Sequence, residues 1–393
     1  MEMLIRYKHL FVFFCILALY VLFDAINSGN TGANDAERGV VYVFMFLLTG
    51  WSCLYSFFTK TCSYRHPGYV AYMWIIPIWL FFRNAFEYSN YWISGVHLFI
   101  SLWWIATYYY IFKYTSLNPK CIAIIKILFI FILAIYIGVF FYAQASIQQI
   151  YGEDNVVLNY SYFIMSFIPY CLLIENRKIR FILLGIIFTV LILSFKRGPL
   201  VILPMMYLIY QYSRVHKKKY AFFRLVLQII CFACVFFLVF AFVDKSSGGF
   251  LSERFSKEQL EDGSNRNEMW RMAMNDIDQR GFFTLLVGKG SGSSIKLLGS
   301  GCHNEWLEFL FSFGIVGVVL YLGLGLALIN RYRYLLKVKS VYAPALGVEV
   351  IFFWCVGLFS GFYFTHSSFY FFAFLGLLES LHRQEILANN KHE

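Results

Sequence analysis

Charge is scarce in this sequence. Lys, Arg, Asp and Glu together make up 14% of its residues, against about 25% in an ordinary soluble domain. That deficit excludes a water-soluble globular fold. The charge that exists also avoids the middle of the apolar segments. Lys126 and Glu349 sit near one end of theirs, and His97 near the end of its own. Ion-coupled transporters keep an ionisable relay near the bilayer midplane, so its absence argues against a transporter or flippase. No disulfide framework is evident. Of the nine cysteines, all but Cys302 lie in or beside apolar segments. Cys231-x-x-Cys234 falls inside one of them, where packing explains it better than metal or redox chemistry. Internal repeats, heptad seams and low-complexity tracts are also lacking. Met1–Asn27 has basic residues and then an apolar run but no small-x-small cleavage site. The run exceeds the roughly 7–15 residues of a signal-peptide core, so a first membrane helix is expected.

What is present is apolar. The 393 residues are 60% hydrophobic and 21% aromatic, with mean hydropathy +0.63. A membrane-crossing helix needs about 20 apolar residues, and about twelve segments qualify, some of them short. They lie near 9–26, 39–59, 69–82, 92–112, 121–142, 158–174, 179–195, 198–213, 221–243, 305–329, 345–364 and 367–381. The expected fold is therefore an all-α polytopic membrane protein: helices over 1–243, a long polar loop over 244–302, and further helices with a tail over 303–393. The net charge of +11 would suggest nucleic acid in a soluble protein. Here the basic residues sit in short connections, so membrane orientation explains them and no nucleic-acid partner is expected. One set of connections holds Lys60 and Arg65, Lys113 and Lys120, Arg177, Lys178 and Arg180, Lys217–Lys219, and Arg331 to Lys339. The opposite short connections hold only Arg38, Arg83, Lys196 and Arg197. The bias places both termini in the cytoplasm and 244–302 outside.

Candidate chemistry gathers on that outer side. Lys196-Arg197 falls between one apolar segment and the next, which opens on Gly198-Pro199, a good helix start. The pair runs against the charge bias. It either snorkels at a helix end or holds a cation at the surface for an anionic group, which Arg can grip through two parallel hydrogen bonds. Within the loop, 265–277 has Met269, Trp270, Ala273 and Ile277 at helical spacing, a face suited to packing on the bundle or lying on the bilayer. Arg266 precedes Trp270 by one turn and could join Arg197 in clamping a pyrophosphate. Arg271 points roughly away from Arg266. Gly288-Lys289-Gly290-Ser291-Gly292 fails both the P-loop and dinucleotide spacings and reads as a tight turn. His303 could act as a general base, its pKa lying near neutrality. Glu305 and Glu308 suit the positive end of the following helix, and either could orient the imidazole or bind a sugar hydroxyl. Cys302, a lone thiol beside His303, is a weaker candidate.

In order along the chain, Ser194-Phe195-Lys196-Arg197-Gly198, then Arg266-x-x-x-Trp270-x-x-Ala273 with Gly288-x-Gly290-x-Gly292, then His303-Asn304-x-x-Leu307 running on to Gly314-Ile315-x-Gly317, resemble the O-antigen polymerase and O-antigen ligase superfamily of bacterial envelope enzymes. The resemblance covers about residues 190–320, and rests on order and spacing rather than on one specific motif. Lys196 stands where the family often has Ser or Thr, and Gly281-Phe282-Phe283 where Pro is common; neither departure removes a candidate residue.

The resemblance implies a GT-C-like glycosyltransferase of the bacterial inner membrane, with its active site facing the periplasm. It would act on undecaprenyl-pyrophosphate-linked oligosaccharide without cofactor or metal. Arg197 and Arg266 would hold the donor pyrophosphate and His303 would activate the acceptor hydroxyl, with Lys196, Asn304, Glu305 and Arg271 as substrate-binding candidates. The compact loop and Gly-x-Gly-x-Gly run are more polymerase-like than ligase-like. A ligase would pass the polymer to the lipid A core. Membrane lipid and a polysaccharide chain-length regulator are the remaining partners that the resemblance admits. The rival classes are a transporter or flippase, a membrane acyltransferase, which could also use an outer His and Arg, and a non-catalytic envelope assembly protein.

Overall fold

A computed structural model describes residues 2–29, 35–60, 64–85, 91–151, 157, 160–215, 220–256, 266–365 and 367–390. Lys217–Lys219 of the basic connections lie outside the described residues, as does the side chain of Arg38. The chain is helical, with no strand among the described residues. Among the described residues, six helices are long and apolar enough to cross a membrane: those containing Tyr7–Asp24, Gly39–Phe58, Ile93–Leu117, Pro119–Ser146, Ala221–Ser246 and Glu305–Lys337. In order, the helices are α1 (Glu2–Gly29), α2 (Asp35–Phe58), α3 (Tyr69–Ala85), α4 (Tyr91–Leu117), α5 (Ile122–Tyr151), α6 (Tyr160–Met165), α7 (Ile168–Leu172), α8 (Arg177–Leu193), α9 (Arg197–Val215), α10 (Ala221–Ser246), α11 (Phe250–Glu253), α12 (Arg266–Asp278), α13 (Phe282–Val287), α14 (Ser293–Leu298), α15 (Glu305–Lys337), α16 (Ala343–Phe359) and α17 (Ser367–Asn389).

The last apolar segment forms the middle of the bundle. Phe369 to Leu375 of α17 are all buried, as expected of a helix that is apolar on every side. It packs along α4, where Trp103 stacks on Phe369 with ring centroids 4.6 Å apart and Trp104 on Phe372 at 5.3 Å. α16 lies against α9, and α15 against α3 and α16. By contrast, α10 leaves Phe237, Leu238 and Phe242 exposed, an apolar surface suited to lipid.

Two segments depart from the simple pattern. The apolar run at 158–174 is not one helix. It breaks between α6 and α7, because Pro169 in the first turn of α7 has no N–H to continue the ladder and suits a fresh start. α15 runs on to Lys337, further than hydropathy suggests, but is interrupted at Gly314 (φ 67°, ψ −167°). There the backbone meets the turn at Gly288, and a Cβ on either glycine would collide with the other segment's main chain. Gly288, Gly290 and Gly292 all have positive φ, so the glycine run is a tight turn, as its sequence suggests.

Candidate functional site

The amphipathic face of the long loop docks on the bundle. Ala273 and Ile277 of α12 are buried with Cys302 and with Phe311 of α15. The Trp270 indole donates to the Cys302 carbonyl at 2.8 Å. This docking carries Arg266, the first residue of α12, over the mouth of the bundle, where its guanidinium donates to the Phe359 carbonyl at 2.9 Å. That carbonyl ends α16, one of the last-turn acceptors that no intrahelical donor reaches, and it attracts a cation.

Lys196 and Arg197 arrive from the opposite side. Phe195 takes a left-handed conformation (φ 51°), turning the chain from α8 into α9. Arg197 opens α9 and donates to the backbone carbonyl of Arg254 at 3.3 Å. Gly198 lets Tyr162 of α6 pack directly against this helix start. His303 is also left-handed (φ 50°), a conformation that costs a non-glycine residue about 1–3 kcal/mol and is concentrated at functional sites. It presents its ring at the lip of α15.

These elements enclose a cavity of about 400 Å³ lined by Lys196, Arg266, His303, Asn304, Glu305 and Tyr162, among others. Neither Arg197 nor Arg271 is part of the lining. The Arg271 side chain is 74% exposed and lies 4.0 Å from Glu268, on a face of α12 turned away from the cavity.

The carboxylates nearby are committed to backbone and hydroxyl groups. Glu305 is buried and accepts from the N–H groups of Phe362 at 2.6 Å and Tyr363 at 3.1 Å. Glu308 accepts from Cys302 N–H at 3.0 Å and from the hydroxyls of Ser294 and Ser312, each at 2.8 Å. Asn304 caps α15 by accepting from Leu307 N–H at 3.1 Å and reaches the Leu358 carbonyl through its amide at 3.3 Å. Glu305 and Asn304 therefore anchor the 358–363 connection, and Glu308 anchors the loop. The Cys302 thiol is buried, which raises its pKa, as does Glu308 beside it; it is a packing residue rather than a nucleophile.

The site is thus dominated by positive charge. Burial lowers the Lys196 ammonium to a pKa of about 8, with Arg266, Arg254 and Arg197 adding repulsion. Burial, then Arg254 and Arg266, also lower Arg197; burial, then Arg266, lower Arg254, with Glu253 opposing. Among the described residues neither Arg254 nor Arg266 is ion-paired with a carboxylate, and the buried Arg254 Nε has no hydrogen-bond partner. His303 is lowered from 6.5 by burial first, then by Arg266 and Lys196, with Glu308 opposing. An imidazole held neutral beside a set of cations can accept a proton while the cations meet an anion. Sequence reading missed Arg254 and Tyr162. Arg254 lies among several loop charges, and only the Gly248-Gly249 turn just before it marks the spot. No feature of the sequence singles out Tyr162.

No protein-family model matches this chain, and no curated protein matches it.

Proposed function

We propose that this protein is a membrane glycosyltransferase that joins lipid-pyrophosphate-linked oligosaccharides, and specifically an O-antigen polymerase. The observation that carries the reading is a cavity lined by Lys196, Arg266 and His303 together, with Arg254 and Arg197 near enough to repel the Lys196 ammonium. Mutually repelling cations at the end of an apolar bundle are best satisfied by a multiply charged lipid headgroup. In this reading about twelve helices cross the bacterial inner membrane, both termini are cytoplasmic, and the cavity faces the periplasm. His303 takes the proton from an acceptor hydroxyl as its oxygen attacks the anomeric carbon of the donor. The bond from that carbon to the pyrophosphate oxygen breaks, and the electron pair leaves with undecaprenyl pyrophosphate. The guanidinium groups meet the charge as it builds up. Removing one such donor in a preorganised site lowers kcat by about 10²–10³.

The test is the surface polysaccharide of a deletion strain complemented with variants. A polymerase predicts loss of the ladder with a single repeat unit left on the core. Arg197→Ala, Arg266→Ala and His303→Ala should each reproduce that loss while the protein still inserts. Loss of every repeat with accumulation of lipid-linked polymer would indicate a ligase. Normal banding in all three variants would refute the glycosyltransferase reading.

A further inference from the structure

A second and larger cavity, about 940 Å³, opens at the same end of the bundle. The residues from Ser291 to Leu297 form a partition. Ser291, Ser293, Lys296 and Leu297 line this cavity, while Gly292, Ser294 and Ile295 line the cationic one. The thickness of a single helix, α14, therefore separates the two spaces.

The chemistry of this second cavity is amphiphilic. Trp79 and Phe82 of α3, Phe283 of α13 and Leu297 form an apolar side. At its rim Phe282 and Phe283 are 79% and 73% exposed, a large apolar surface that no protein group covers among the described residues. Arg83, Lys289 and Lys296 form the polar side, with Asp276 as the one acid in the lining. Asp276 is taken up twice, by Lys289 at 2.6 Å and by Arg280 at 2.7 Å. Arg83 donates to the carbonyls of Val287 and Gly288. Lys296 is exposed and has no ion-pair partner among the described residues. The balance is positive on one wall and aromatic on the other.

We propose that this cavity seats a second anionic amphiphile, the phosphate-bearing lipid of the acceptor, with its phosphate at Lys296 and Lys289 and the first part of its chain along Trp79, Phe82 and Phe283. This inference rests on the transfer reaction proposed above. A reaction between two membrane-anchored molecules needs both headgroups held side by side, so that the sugar of one reaches the anomeric carbon of the other. Two charge-bearing cavities divided by one short helix provide that arrangement, with His303 on the donor side of the partition.

The experiment uses the full-length protein in nanodiscs of zwitterionic lipid, labelled with a photoreactive short-chain polyprenyl pyrophosphate, with adducts mapped by mass spectrometry. Two sets of adducts are expected, one around 196–197, 266 and 303 and another within 282–297. Lys296→Glu should weaken the second set about tenfold, the scale of one lost charge-assisted contact, and leave the first intact. Phe283→Ala, also at an exposed position, should weaken the second set independently, and Arg266→Ala should weaken only the first. Adducts confined to the first set, or a second set unchanged in both Lys296→Glu and Phe283→Ala, overturn the proposal. So does equal displacement of the second set by phosphatidylglycerol, which would mark an ordinary boundary-lipid contact. Adducts found only within 282–297 would instead support the amphiphile site while removing the donor assignment of the cationic cavity.

Discussion

The phenol oxygen of Tyr162 occupies the place that a Cβ on residue 198 would need, with Cβ of Phe359 close on another side. Gly198 therefore sets how near α6 comes to the start of α9, at the edge of the cationic cavity that Tyr162 lines. Gly198→Ala should push Tyr162 toward Arg266 and lower transfer about a hundredfold, the scale of a misplaced reacting group, with protein abundance close to wild type. Adding Tyr162→Phe removes the colliding oxygen and should restore part of the loss. Full activity in the single variant would show that this contact does not shape the site.

Arg254 should contribute through its charge. Arg254→Ala is expected to raise the KM for donor about tenfold, equivalent to about 1.4 kcal/mol, with a smaller change in kcat than Arg266→Ala produces. Steady-state kinetics on reconstituted enzyme would separate the two, and an unchanged KM would exclude Arg254 from donor binding.

The pH profile should have two assignable limbs. Lys196, lowered to about 8 by burial and then by Arg266, Arg254 and Arg197, loses its charge as pH rises through that value. Donor binding should weaken between about pH 7 and 9, and Lys196→Arg should flatten that limb, since a guanidinium stays charged. His303 titrates below its ordinary 6.5 because burial, and next Arg266 and Lys196, disfavour the imidazolium. The acid limb of kcat/KM should therefore lie below 6.5. It should move upward in any Arg266→Ala variant with residual activity, because one repelling charge is gone. A limb that stays in place would mean that Arg266 does not tune the imidazole.

Glu308 should matter for closure of the loop rather than for chemistry. It ties Cys302, Ser294 and Ser312 together. Glu308→Ala leaves the Cys302 N–H without its acceptor, a loss of about 1–3 kcal/mol. Limited proteolysis should then cut within 244–302 faster than in wild type, while the transmembrane fragments remain intact. Equal cutting rates would dismiss the tie.

At the opposite end of the bundle, Arg331 donates to both carboxylate oxygens of fully buried Glu379, which Tyr64 and Tyr69 also reach through their hydroxyls. Removing one partner of a buried pair costs about 3–5 kcal/mol because the other charge is stranded. Arg331→Met should reduce accumulation of the protein sharply, and Arg331→Met with Glu379→Leu should recover much of it. Quantitative blotting of membranes provides the readout.

Much of the architecture was legible from hydropathy, because apolar length and helix length express the same physical requirement. The break before Pro169 was marked by the proline itself. The extension of α15 to Lys337 was not legible, since Arg331 and Arg333 read as a loop until Glu379, far along the chain, neutralises the first of them. Lys196, Arg197 and His303 stood out as polar groups at the ends of apolar runs, and Arg266 as a charge one turn before Trp270 in the loop's amphipathic segment. Asn304 and Glu305 read as substrate-binding candidates, because nothing local reveals that their partners include the backbone of Leu358, Phe362 and Tyr363. Arg254 and Tyr162 acquire meaning only from the chain's return to them in space.

The anchors of the cationic cavity have a consequence for biogenesis. Arg266 is held by Phe359, Asn304 by Leu358, and Glu305 by Phe362 and Tyr363. Every one of these holding groups is synthesised after the residues they fix. A nascent chain paused before residue 358 already contains Lys196, Arg197, Arg266 and His303, but lacks the Phe359 carbonyl that holds the Arg266 guanidinium and the 358–363 backbone that Asn304 and Glu305 grip. Under the proposed function, catalytic competence would then be tied to near-completion of synthesis, and an unfinished polypeptide in the membrane would stay inert toward lipid carriers.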